Sequence, residues 1–443
     1  MSDTASPLRS HARRLLAALV VLVAVGVAPA QAATWRLEPI EDSKGVVELQ
    51  ELAFDAEGRA LLSWSGVLRG RVPPLFAGLA TRDPAGGWQR PPDLDDAVQP
   101  ATAHVHVAAP TRTLLVAREG STAANLRRLV YAEGQSEGSF GELTALDDFV
   151  RAHWSAANPA GAAIVAWNGE RSPFLRVAER PAGGQFARPR ELAIGRTAAV
   201  AINQRGDRVL AWRAGPRLAA RVRSAGGDWE DTVRFGRMTA IQHLRLTALM
   251  ARNGRVVLTW GSVGRPCGVS VRDAAGRWRS RTLERRCGPT SADARRAPVL
   301  PLADGRGATY VAWTGRTRTG RRAVKFARVG AGASVRALVL SRERGAVLDD
   351  VAAGPRRALA VTYAAPRPTR ANPLIVATFV ALRRGGGTFE HDRLTPLGFA
   401  ARRGSRAGFH PLTGAAVVAV PFLIGLDVAV AAAVGPVAPV AAR

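Results

Sequence analysis

The sequence has 443 residues, of which 47% are hydrophobic and 6% aromatic, so the chain can bury a sizeable core and is not globally disordered. Its formal net charge is +27, from 62 basic and 35 acidic residues, and Lys44 and Lys325 are its two lysines. Such an excess of arginine attracts polyanions, but a GC-rich genome produces the same bias, and the composition leaves both explanations open.

Residues 1–33 have the features of a signal peptide. Three arginines in the first 14 residues precede an apolar stretch at 15–27, and the small-residue pattern Ala30-Gln31-Ala32 follows it. We therefore expect residues 1–33 to direct export, residues 34–443 to form a single domain, and the mature protein to be secreted. The apolar stretch is short for a transmembrane helix, and an uncleaved membrane anchor is the alternative.

One short pattern recurs eight times along the remaining chain. Its clearest copy, at 200–213, has an apolar run, a turn closed by Gly206, and a second apolar run that ends in Trp212. Two short apolar runs joined by such a turn predict a β-hairpin. The second runs end 45 to 57 residues apart, a spacing typical of propellers and other repeat proteins. They lie at 59–64, 113–117, 162–167, 208–212, 255–260, 308–313, 358–363 and 415–420.

Each copy contains strand-sized segments and no helical stripe. After the hairpin, a longer connection leads to a third strand, and a turn leads to a fourth. In six copies an aromatic residue opens the fourth strand: Trp88, Phe140, Phe186, Trp229, Trp278 and Phe389. Four strands in about 50 residues match a propeller blade. We therefore expect an all-β propeller of eight four-stranded blades, with seven as the alternative because the last copy is poorly patterned.

The two ends of the domain predict how the ring closes. Residues 34–37 resemble a fourth strand without the three that should precede it, and the copy from Phe399 onward has three strands without a fourth. We expect the N-terminal strand to pair with the last blade, which removes the open edge. For the strongly apolar residues 415–434, the alternative is a membrane tail, although Pro421, Gly425 and Asp427 interrupt them.

Cys267 and Cys287 are the two cysteines, and they flank a turn at 273–277. In an antiparallel hairpin folded at this turn, the two sulfur atoms would lie across from each other. Export permits disulfide formation. The sequence therefore favours a structural disulfide over free or metal-binding thiols.

Two turns before fourth strands resemble a known repeat. Residues 81–88 read Thr-Arg-Asp-Pro-Ala-Gly-Gly-Trp, and residues 271–278 read Val-Arg-Asp-Ala-Ala-Gly-Arg-Trp. Both are similar to degenerate Asp-box repeats, the Ser-x-Asp-x-Gly-x-Thr-Trp turns of sialidase-type propellers. The Asp-to-Trp distance matches, but the glycine comes one place late and the threonine is missing. In that family the Asp box is structural, so the resemblance implies a fold and no activity.

Sialidase-like chemistry would need three arginines on a carboxylate, a tyrosine activated by a glutamate, and an acidic proton donor. Arginine is too frequent in this chain for any three to be diagnostic. Tyr310 and Tyr363 fall in second strands, where the pattern predicts a buried position.

Propeller topology sorts the connections onto two faces. Connections between second and third strands and between blades share what we call the loop face, and the tight turns form the turn face. Guanidinium groups on loops suit phosphate, sulfate and carboxylate ligands. The predicted anion-binding residues are Arg127, Arg128, Arg213, Arg217, Arg316, Arg318, Arg321, Arg322, Arg367 and Arg370, with Arg69, Arg71, Arg171 and Arg265 in the same kind of connection.

Two features complicate this prediction. Acidic pairs at 95–96, 147–148 and 349–350 fall near the same face and could neutralise neighbouring arginines. His104, His106 and His153 lie in first strands, which line a propeller's channel, and are weak candidates for a metal site. Their different offsets from the tryptophans favour separate hydrogen-bonded side chains instead.

The sequence therefore favours a secreted, non-catalytic binding or scaffold protein, with a carbohydrate-active propeller enzyme as the alternative. The expected partner is an anionic envelope polymer, an acidic glycan or a protein, and not nucleic acid. No cofactor is predicted, and we expect a monomer. Contact with a membrane is expected only if the signal anchor is retained or the apolar C-terminal segment inserts.

Overall fold

A computed structural model describes residues 35–435 apart from several connections. The residues outside the description within this range are 41–45, 68–74, 85, 90–99, 110–111, 121–126, 136–139, 171, 196, 238–243, 263, 274, 289–296, 331, 368–375, 386, 395–399, 402–403 and 425–426. The predicted signal peptide and the acidic pair at 95–96 therefore lie outside the described residues, as do the candidate anion-binding residues Arg69, Arg71, Arg171 and Arg370.

The chain forms eight antiparallel blades of four strands each, as predicted. Each blade begins with an inner strand that pairs only with the second strand of the blade. The first strands are β2 (Val46–Phe54), β6 (Pro100–Ala109), β10 (Val150–Ala157), β14 (Ala198–Ile202), β18 (Arg245–Met250), β22 (Val299–Ala303), β26 (Val347–Ala353) and β31 (Arg406–Phe409). The second strands are β3 (Ala60–Val67), β7 (Arg112–Gly120), β11 (Ala163–Gly169), β15 (Arg208–Ala214), β19 (Val256–Gly261), β23 (Thr309–Arg316), β27 (Leu359–Pro366) and β32 (Ala416–Ile424).

The remaining strands complete the blades outward. The third strands are β4 (Leu75–Arg82), β8 (Arg127–Gln135), β12 (Phe174–Arg180), β16 (Arg217–Arg223), β20 (Cys267–Arg272), β24 (Arg322–Arg328), β28 (Val376–Arg383) and β33 (Asp427–Val434). The fourth strands are β5 (Trp88–Gln89), β9 (Thr144–Asp147), β13 (Arg190–Ile194), β17 (Val233–Arg237), β21 (Trp278–Glu284), β25 (Leu338–Val339), β29 (Phe389–Arg393) and β1 (Arg36–Ile40). A short strand, β30 (Ala400–Ala401), bridges blades 7 and 8, and one 3-10 turn covers Pro355–Arg357.

The ring closes as the two chain ends predicted. Strand β1 pairs with β33, from Arg36 opposite Val434 to Ile40 opposite Val430, and becomes the outer strand of blade 8. First strands of successive blades contact one another, and β31 contacts β2 across the closure. The eight first strands therefore surround a central channel, and the prediction of eight blades is confirmed.

The apolar C-terminal segment and the cysteines adopt structural roles. Strands β32 and β33 are the second and third strands of blade 8, so they form a hairpin in the sheet. Among the described residues, no helix is long and apolar enough to cross a membrane. Cys267 and Cys287 form the predicted disulfide, with their Cα atoms 5.7 Å apart. Cys267 lies opposite Glu284 in the β20–β21 ladder. The chain after β21 turns back, so that Cys287 reaches Cys267.

The core of the protein lies between blades. Buried hydrophobic side chains form eight clusters among the described residues, and each cluster combines residues of two neighbouring blades. The tryptophans that end the second-strand pattern are all buried in these clusters, as predicted: Trp64, Trp167, Trp212, Trp260 and Trp313. In blades 1 and 5 the indole lies against a third-strand glycine, where an added Cβ would come within 2.2 Å of Trp64 or 2.3 Å of Trp260.

Asparagine side chains on the turn face connect neighbouring blades. The Oδ1 of Asn203 accepts hydrogen bonds from the backbone N–H groups of Arg205 and Asp207, both at 3.0 Å, and Gly206 takes φ +90° to complete the turn. The Nδ2 of Asn203 donates to Ala251 O of the next blade at 3.3 Å. Asn158 repeats the arrangement and donates to Asn203 O at 2.9 Å. The most regular motif in the sequence is therefore also an inter-blade contact.

Arginines at the ends of third strands form a second inter-blade series. Arg82 donates through Nε and Nη2 to Glu38 of strand β1, at 2.6 and 3.0 Å. The same position in later blades binds an acid of the preceding blade: Arg180 to Glu133 at 2.7 Å, Arg223 to Glu179, and Arg272 to Glu230 at 2.7 Å. Many arginines of this basic chain are therefore part of the scaffold.

The ion pair between Arg82 and Glu38 should contribute strongly to stability, because it is nearly buried and joins blade 1 to the closing strand. The side chains are 13% and 10% exposed. We expect Arg82→Ala to lower the free energy of unfolding by about 3 kcal/mol, since it leaves a buried carboxylate without its partner. The measurement is urea unfolding followed by tryptophan fluorescence.

Arg36 provides the matched control, because it approaches the same carboxylate at 3.8 Å with 82% of its side chain exposed. Arg36→Ala should change the unfolding free energy by less than about 0.5 kcal/mol. Equal losses in the two variants would show that closure does not depend on the buried pair.

Candidate functional site

Acidic residues on the loop face bind to the next blade. Asp147 Oδ2 accepts hydrogen bonds from Trp167 Nε1 at 2.6 Å and from Arg176 Nη1 at 2.7 Å. Glu284 accepts from Trp313 Nε1 at 3.4 Å and pairs with Lys325. In both cases the aromatic residue and the cation are directly opposite each other in the ladder. The predicted pairing of acids with cations therefore occurs at 147–148, and Arg176 and Lys325 are not available to a ligand. At 349–350 the carboxylates instead accept hydrogen bonds from Ser405 Oγ and from Ala407 N of the next blade, both at 3.0 Å.

Several of the predicted anion-binding arginines have partners within the protein. Arg127 lies 3.7 Å from Glu170, and Arg128 lies 3.2 Å from Asp148. Arg367 lies 4.0 Å from Glu343, with its guanidinium 5.5 Å from the centre of the Phe379 ring. Arg213 donates to Gly215 O at 3.1 Å, and Arg217 is exposed on the same short turn. The predicted ring of arginines is thus partly neutralised in blades 2 and 7.

Blade 6 differs, because four arginines crowd one rigid connection. Arg316, Arg318, Arg321 and Arg322 form what we call the arginine turn. Arg316 and Arg322 are directly opposite each other at the end of the β23–β24 ladder. Within the described part of the chain, none of the four has a carboxylate within 4.0 Å. Four arginines within seven residues, without a described carboxylate partner, give this turn a concentrated positive charge. Arg316 and Arg322 repel each other, because like charges directly opposite in a ladder are unfavourable.

The backbone holds the arginine turn in one shape. Thr317 N donates to Arg321 O at 2.8 Å, Gly320 N donates to Thr317 O at 3.0 Å, and Gly320 has φ +76°. Arg316 Nη1 donates to Gly320 O at 2.9 Å. Burial lowers the pKa of the Arg322 guanidinium, and the charge of Arg316 lowers it further. The turn therefore holds the four arginines at fixed backbone positions, and the side chain of Arg316 is further held by its own hydrogen bond.

The disulfide places more arginines on the same face. Gly264 N donates to Cys287 O, and Cys287 N donates to Arg265 O, both at 2.9 Å. Arg265 and the preceding Arg285 and Arg286 are exposed. Gly288 N donates to Thr314 O at 3.1 Å, which attaches this segment to the strand that leads into the arginine turn.

Tyr363 and Glu343 form the closest approach to the tyrosine–glutamate pair that sialidase chemistry requires. Tyr363 Oη donates to Glu343 Oε2 at 2.8 Å, and Arg367 is near. Tyr363 is fully buried, as predicted for a second-strand tyrosine. Burial and Glu343 raise the pKa of Tyr363, so its hydroxyl is the opposite of an activated nucleophile. The pair occupies the inter-blade position that tryptophan and acid occupy elsewhere.

A groove of about 560 Å³ lies between the outer strands of blades 6 and 7. Arg383 crosses it, with its guanidinium 5.0 Å from the centre of the Tyr310 ring and 5.5 Å from that of Phe389. This stacking joins blade 7 to blade 6 at the position where blades 1, 3, 4 and 5 use an ion pair, so the groove is built around a structural contact.

The weak histidine candidates come together in the channel. The rings of His104 and His106 are stacked with centroids 6.3 Å apart, and His153 meets the edge of His104 at 5.1 Å. His106 Nδ1 lies 3.3 Å from Glu51 Oε1, and His106 Nε2 lies 2.8 Å from Ser155 Oγ. We call Glu51, His104, His106, His153, Ser155 and Arg406 the channel cluster. Within the described residues, no group of three or more histidines, cysteines and acids is arranged to hold a metal ion.

The channel cluster includes Glu51, Ser155 and Arg406, which no sequence motif marks. Glu51 follows a register shift between Leu49 and Glu51 in strand β2, and such a bulge re-aims the following side chain. Arg406 Nε donates to Gln50 O at 2.7 Å. The two histidines at 104 and 106 were the one signal in the sequence, because residues two apart share a face of a strand.

Charges in the channel cluster depend on one another. Burial raises the pKa of Glu51, but His106, His104 and Arg406 outweigh it and hold the pKa below its usual value. Burial lowers the pKa of His104 to about 4, against the attraction of Glu51, and His106 and Arg406 lower it further. At neutral pH the cluster therefore contains an ionised Glu51 beside an uncharged His104.

Comparison with models of protein families finds no match for this chain, and comparison with curated proteins finds none. Among solved structures it is similar to a polysaccharide lyase of family PL25, an ulvan lyase bound to -[GlcA(1-4)Rha3S]-, with a TM-score of 0.47, 11% identity, and coverage of 89% of this chain and 95% of the other. It is also similar to the polysaccharide lyase Uly1, with a TM-score of 0.41, 9% identity, and coverage of 93% and 94%.

A third similar structure is a mutant of the Aleuria aurantia lectin in complex with alpha-methyl-L-fucoside, with a TM-score of 0.38, 8% identity, and coverage of 68% of this chain and 96% of the other. These structural neighbours are propeller polysaccharide lyases and a lectin, and similarity this distant identifies no ligand. The resemblance to sialidase-type repeats is not confirmed.

The low pKa of His104 makes stability depend on pH. In the unfolded chain His104 titrates near 6.5 and in the folded protein near 4, so between these values the unfolded state binds more protons. Stability should therefore fall as the pH drops from 6.5 to 4. The full shift corresponds to about 3 kcal/mol, and solvent contact reduces our expectation to about 1 to 2 kcal/mol, because 32% of the side chain is exposed.

The measurement is urea unfolding of the wild type and of His104→Gln at several pH values from 4 to 8. The variant should lose less stability on acidification, since a neutral amide then faces Glu51, His106 and Arg406. Glu51 contributes in the same direction but below its ordinary pKa of 4.5, outside most of this window. Parallel curves for the two proteins would contradict the assignment.

Proposed function

We propose that the protein binds an anionic extracellular or cell-envelope polymer, such as an acidic glycan, through the arginine turn of blade 6 on the loop face. The single observation that carries this proposal is the placement of Arg316 opposite Arg322, with Arg318 and Arg321 on the turn between them. None of the four has a carboxylate partner among the described residues. A bound anion would relieve the repulsion within the turn.

The chemistry of the group suggests its ligand. Forked guanidinium donors bind two oxygens of a sulfate or carboxylate at once, and their charge is retained at any physiological pH. The fixed backbone of the turn reduces the entropy that binding would otherwise lose. Arg265, Arg285 and Arg286 on the neighbouring disulfide-linked segment extend the positive surface, which suits a repeating polymer better than a single small anion.

The predicted signal peptide supports an extracellular partner and argues against nucleic acid. In blades 2 and 7, Arg127, Arg128 and Arg367 lie near acidic side chains. We therefore place the binding site at the arginine turn of blade 6 and not on the whole loop face. We propose a non-catalytic role for this sector, because the four side chains of the arginine turn are all cations and the neighbouring Glu284 is paired with Lys325.

The experiment compares two variants that remove the same charge. In the first, Arg316, Arg318, Arg321 and Arg322 are replaced by glutamine. In the control, glutamine replaces Arg252, Arg306, Arg356 and Arg357, four exposed arginines on the turn face of blades 5 to 7. Binding to dextran sulfate and to polygalacturonate is measured by titration in about 150 mM salt, where distant surface charges are screened, with neutral dextran as the negative probe.

The arginine-turn variant should bind at least tenfold more weakly than the wild type, a loss of about 1.4 kcal/mol or more. The control should lose less than about threefold, because its arginines lie on the opposite face. Equal weakening would mean that net charge alone attracts the polymer, and this would refute a site at the arginine turn.

A further inference from the structure

Three first strands contribute a serine, a histidine and a glutamate to one hydrogen-bonded chain in the channel. Ser155 of β10 lies 2.8 Å from His106 Nε2 of β6, and His106 Nδ1 lies 3.3 Å from Glu51 of β2. We propose that Ser155 is a nucleophile, that His106 is its general base and that Glu51 orients His106, so that the channel hydrolyses a small O-acyl ester. Such a site is recognised by geometry and roles, and not by the order of residues in the chain.

The three residues lie at the same depth in the ring. Glu51 and His106 are each three residues before the end of their strands, and Ser155 is two residues before the end of β10. With a rise of about 3.3 Å per residue, they lie roughly 7 to 10 Å below the turn face. The imidazole of His106 is buried between its partners, with 10% of its side chain exposed, while Ser155 is half-buried at the channel wall.

The channel is polar at this point only along part of its wall. The first strands of blades 4 and 6 consist entirely of alanine, valine, isoleucine, leucine and proline. A histidine pair, an ionised carboxylate and a serine are therefore not a general feature of the inner strands. The carboxylate is the correct form for its role, because an ionised Glu51 stabilises the imidazolium that forms when His106 accepts the serine proton.

The unpaired edges of the first strands provide donors for transition-state stabilisation. A cavity of about 310 Å³ lies at the turn-face end of the inner strands; Ala157, two residues after Ser155, lines it, whereas Glu51, His106 and Ser155 do not. First strands pair on one side only, so alternate backbone N–H groups point into the channel and can donate to a developing oxyanion. Because eight strands surround the channel, the site suits an ester carried on a chain end or a small molecule, such as an acetyl ester.

The reaction balances with water as the second reactant. Ser155 Oγ bonds to the acyl carbon as its proton passes to His106 Nε2. The ester C–O bond then breaks, and His106 returns the proton to the leaving alcohol oxygen. Water attacks the acyl-serine with His106 again as base, which releases the carboxylic acid and restores Ser155. This reaction is independent of the arginine turn, which lies on the opposite face.

The experiment treats the full-length protein with a fluorophosphonate probe, which phosphonylates activated serines, and follows p-nitrophenyl acetate hydrolysis in parallel. Mass spectrometry should locate the label on Ser155. Labelling should fall by about 100-fold or more in Ser155→Ala, which lacks the nucleophile, and in His106→Gln, which lacks the general base. It should fall by about 10-fold or more in Glu51→Gln, which lacks the carboxylate that orients His106. Ser334→Ala removes an exposed serine on a turn of blade 6 and should leave labelling and hydrolysis unchanged.

Ser155→Cys keeps the shape of the side chain and tests the pair even if the alanine variant fails to fold. This protein should react with iodoacetamide at position 155, and adding His106→Gln should slow that reaction by about 10-fold or more, because the neighbouring imidazole favours the thiolate. No label on Ser155 in the folded wild type would overturn the proposal. Unchanged labelling in folded His106→Gln, or an equal iodoacetamide rate with and without His106, would overturn it as well.

Discussion

The structure depends on the burial of both faces of every sheet against neighbouring sheets. Each blade is too thin to have its own core, so the buried side chains form eight clusters between blades. Such an arrangement has no stable open form, because the first and last blades would each expose an apolar face to water. Pairing of β1 with β33 closes the ring and places Trp64 in one buried cluster with Val417, Ala419 and Ala432 of blade 8.

Polar contacts reinforce the same inter-blade surfaces on both faces of the ring. On the turn face, third-strand arginines bind acids of the preceding blade, and asparagine amides reach the next turn. On the loop face, buried aromatic N–H and O–H groups bind acids of the preceding blade. A large share of the charged residues is consequently fixed by the scaffold. The remaining excess of positive charge is uneven, and the arginine turn of blade 6 is where it concentrates.

The channel illustrates how a repeat can become locally specialised. All first strands occupy equivalent positions, yet the strands of blades 1 to 3 and blade 8 carry titratable side chains that meet, while those of blades 4 and 6 are apolar. Residues that face a narrow channel are partly removed from water, so their charges influence one another strongly. The ionised Glu51 and the uncharged His104 are the result. The inner strands, which the repeat pattern distinguishes only as the channel wall, therefore carry the most chemically distinctive cluster.

The sequence by itself determined the repeat and most of the local structure. Every second strand begins within one residue of its predicted start, because alternation of turn residues and short apolar runs is a local property of the chain. The disulfide, the buried tryptophans and the pairing of the N-terminal strand also followed from position within the repeat. Local pattern did not predict that a bulge at Leu49 would re-aim Glu51, or that the acids at 147 and 148 would each bind a different blade element.

Only the tertiary structure decided which side chains from different blades meet. Glu51, His106 and Ser155 belong to three separate copies of the repeat, and His106 and Ser155 are 49 residues apart in the chain. Their contact depends on the rotation between blades and on the register of each inner strand. Likewise, the sequence placed arginines on loops, but the positions of neighbouring acids decided which of them keep an unbalanced charge. Whether a loop arginine is neutralised depends on its distance to an acidic side chain, often of another blade, and the composition of the chain does not give that distance.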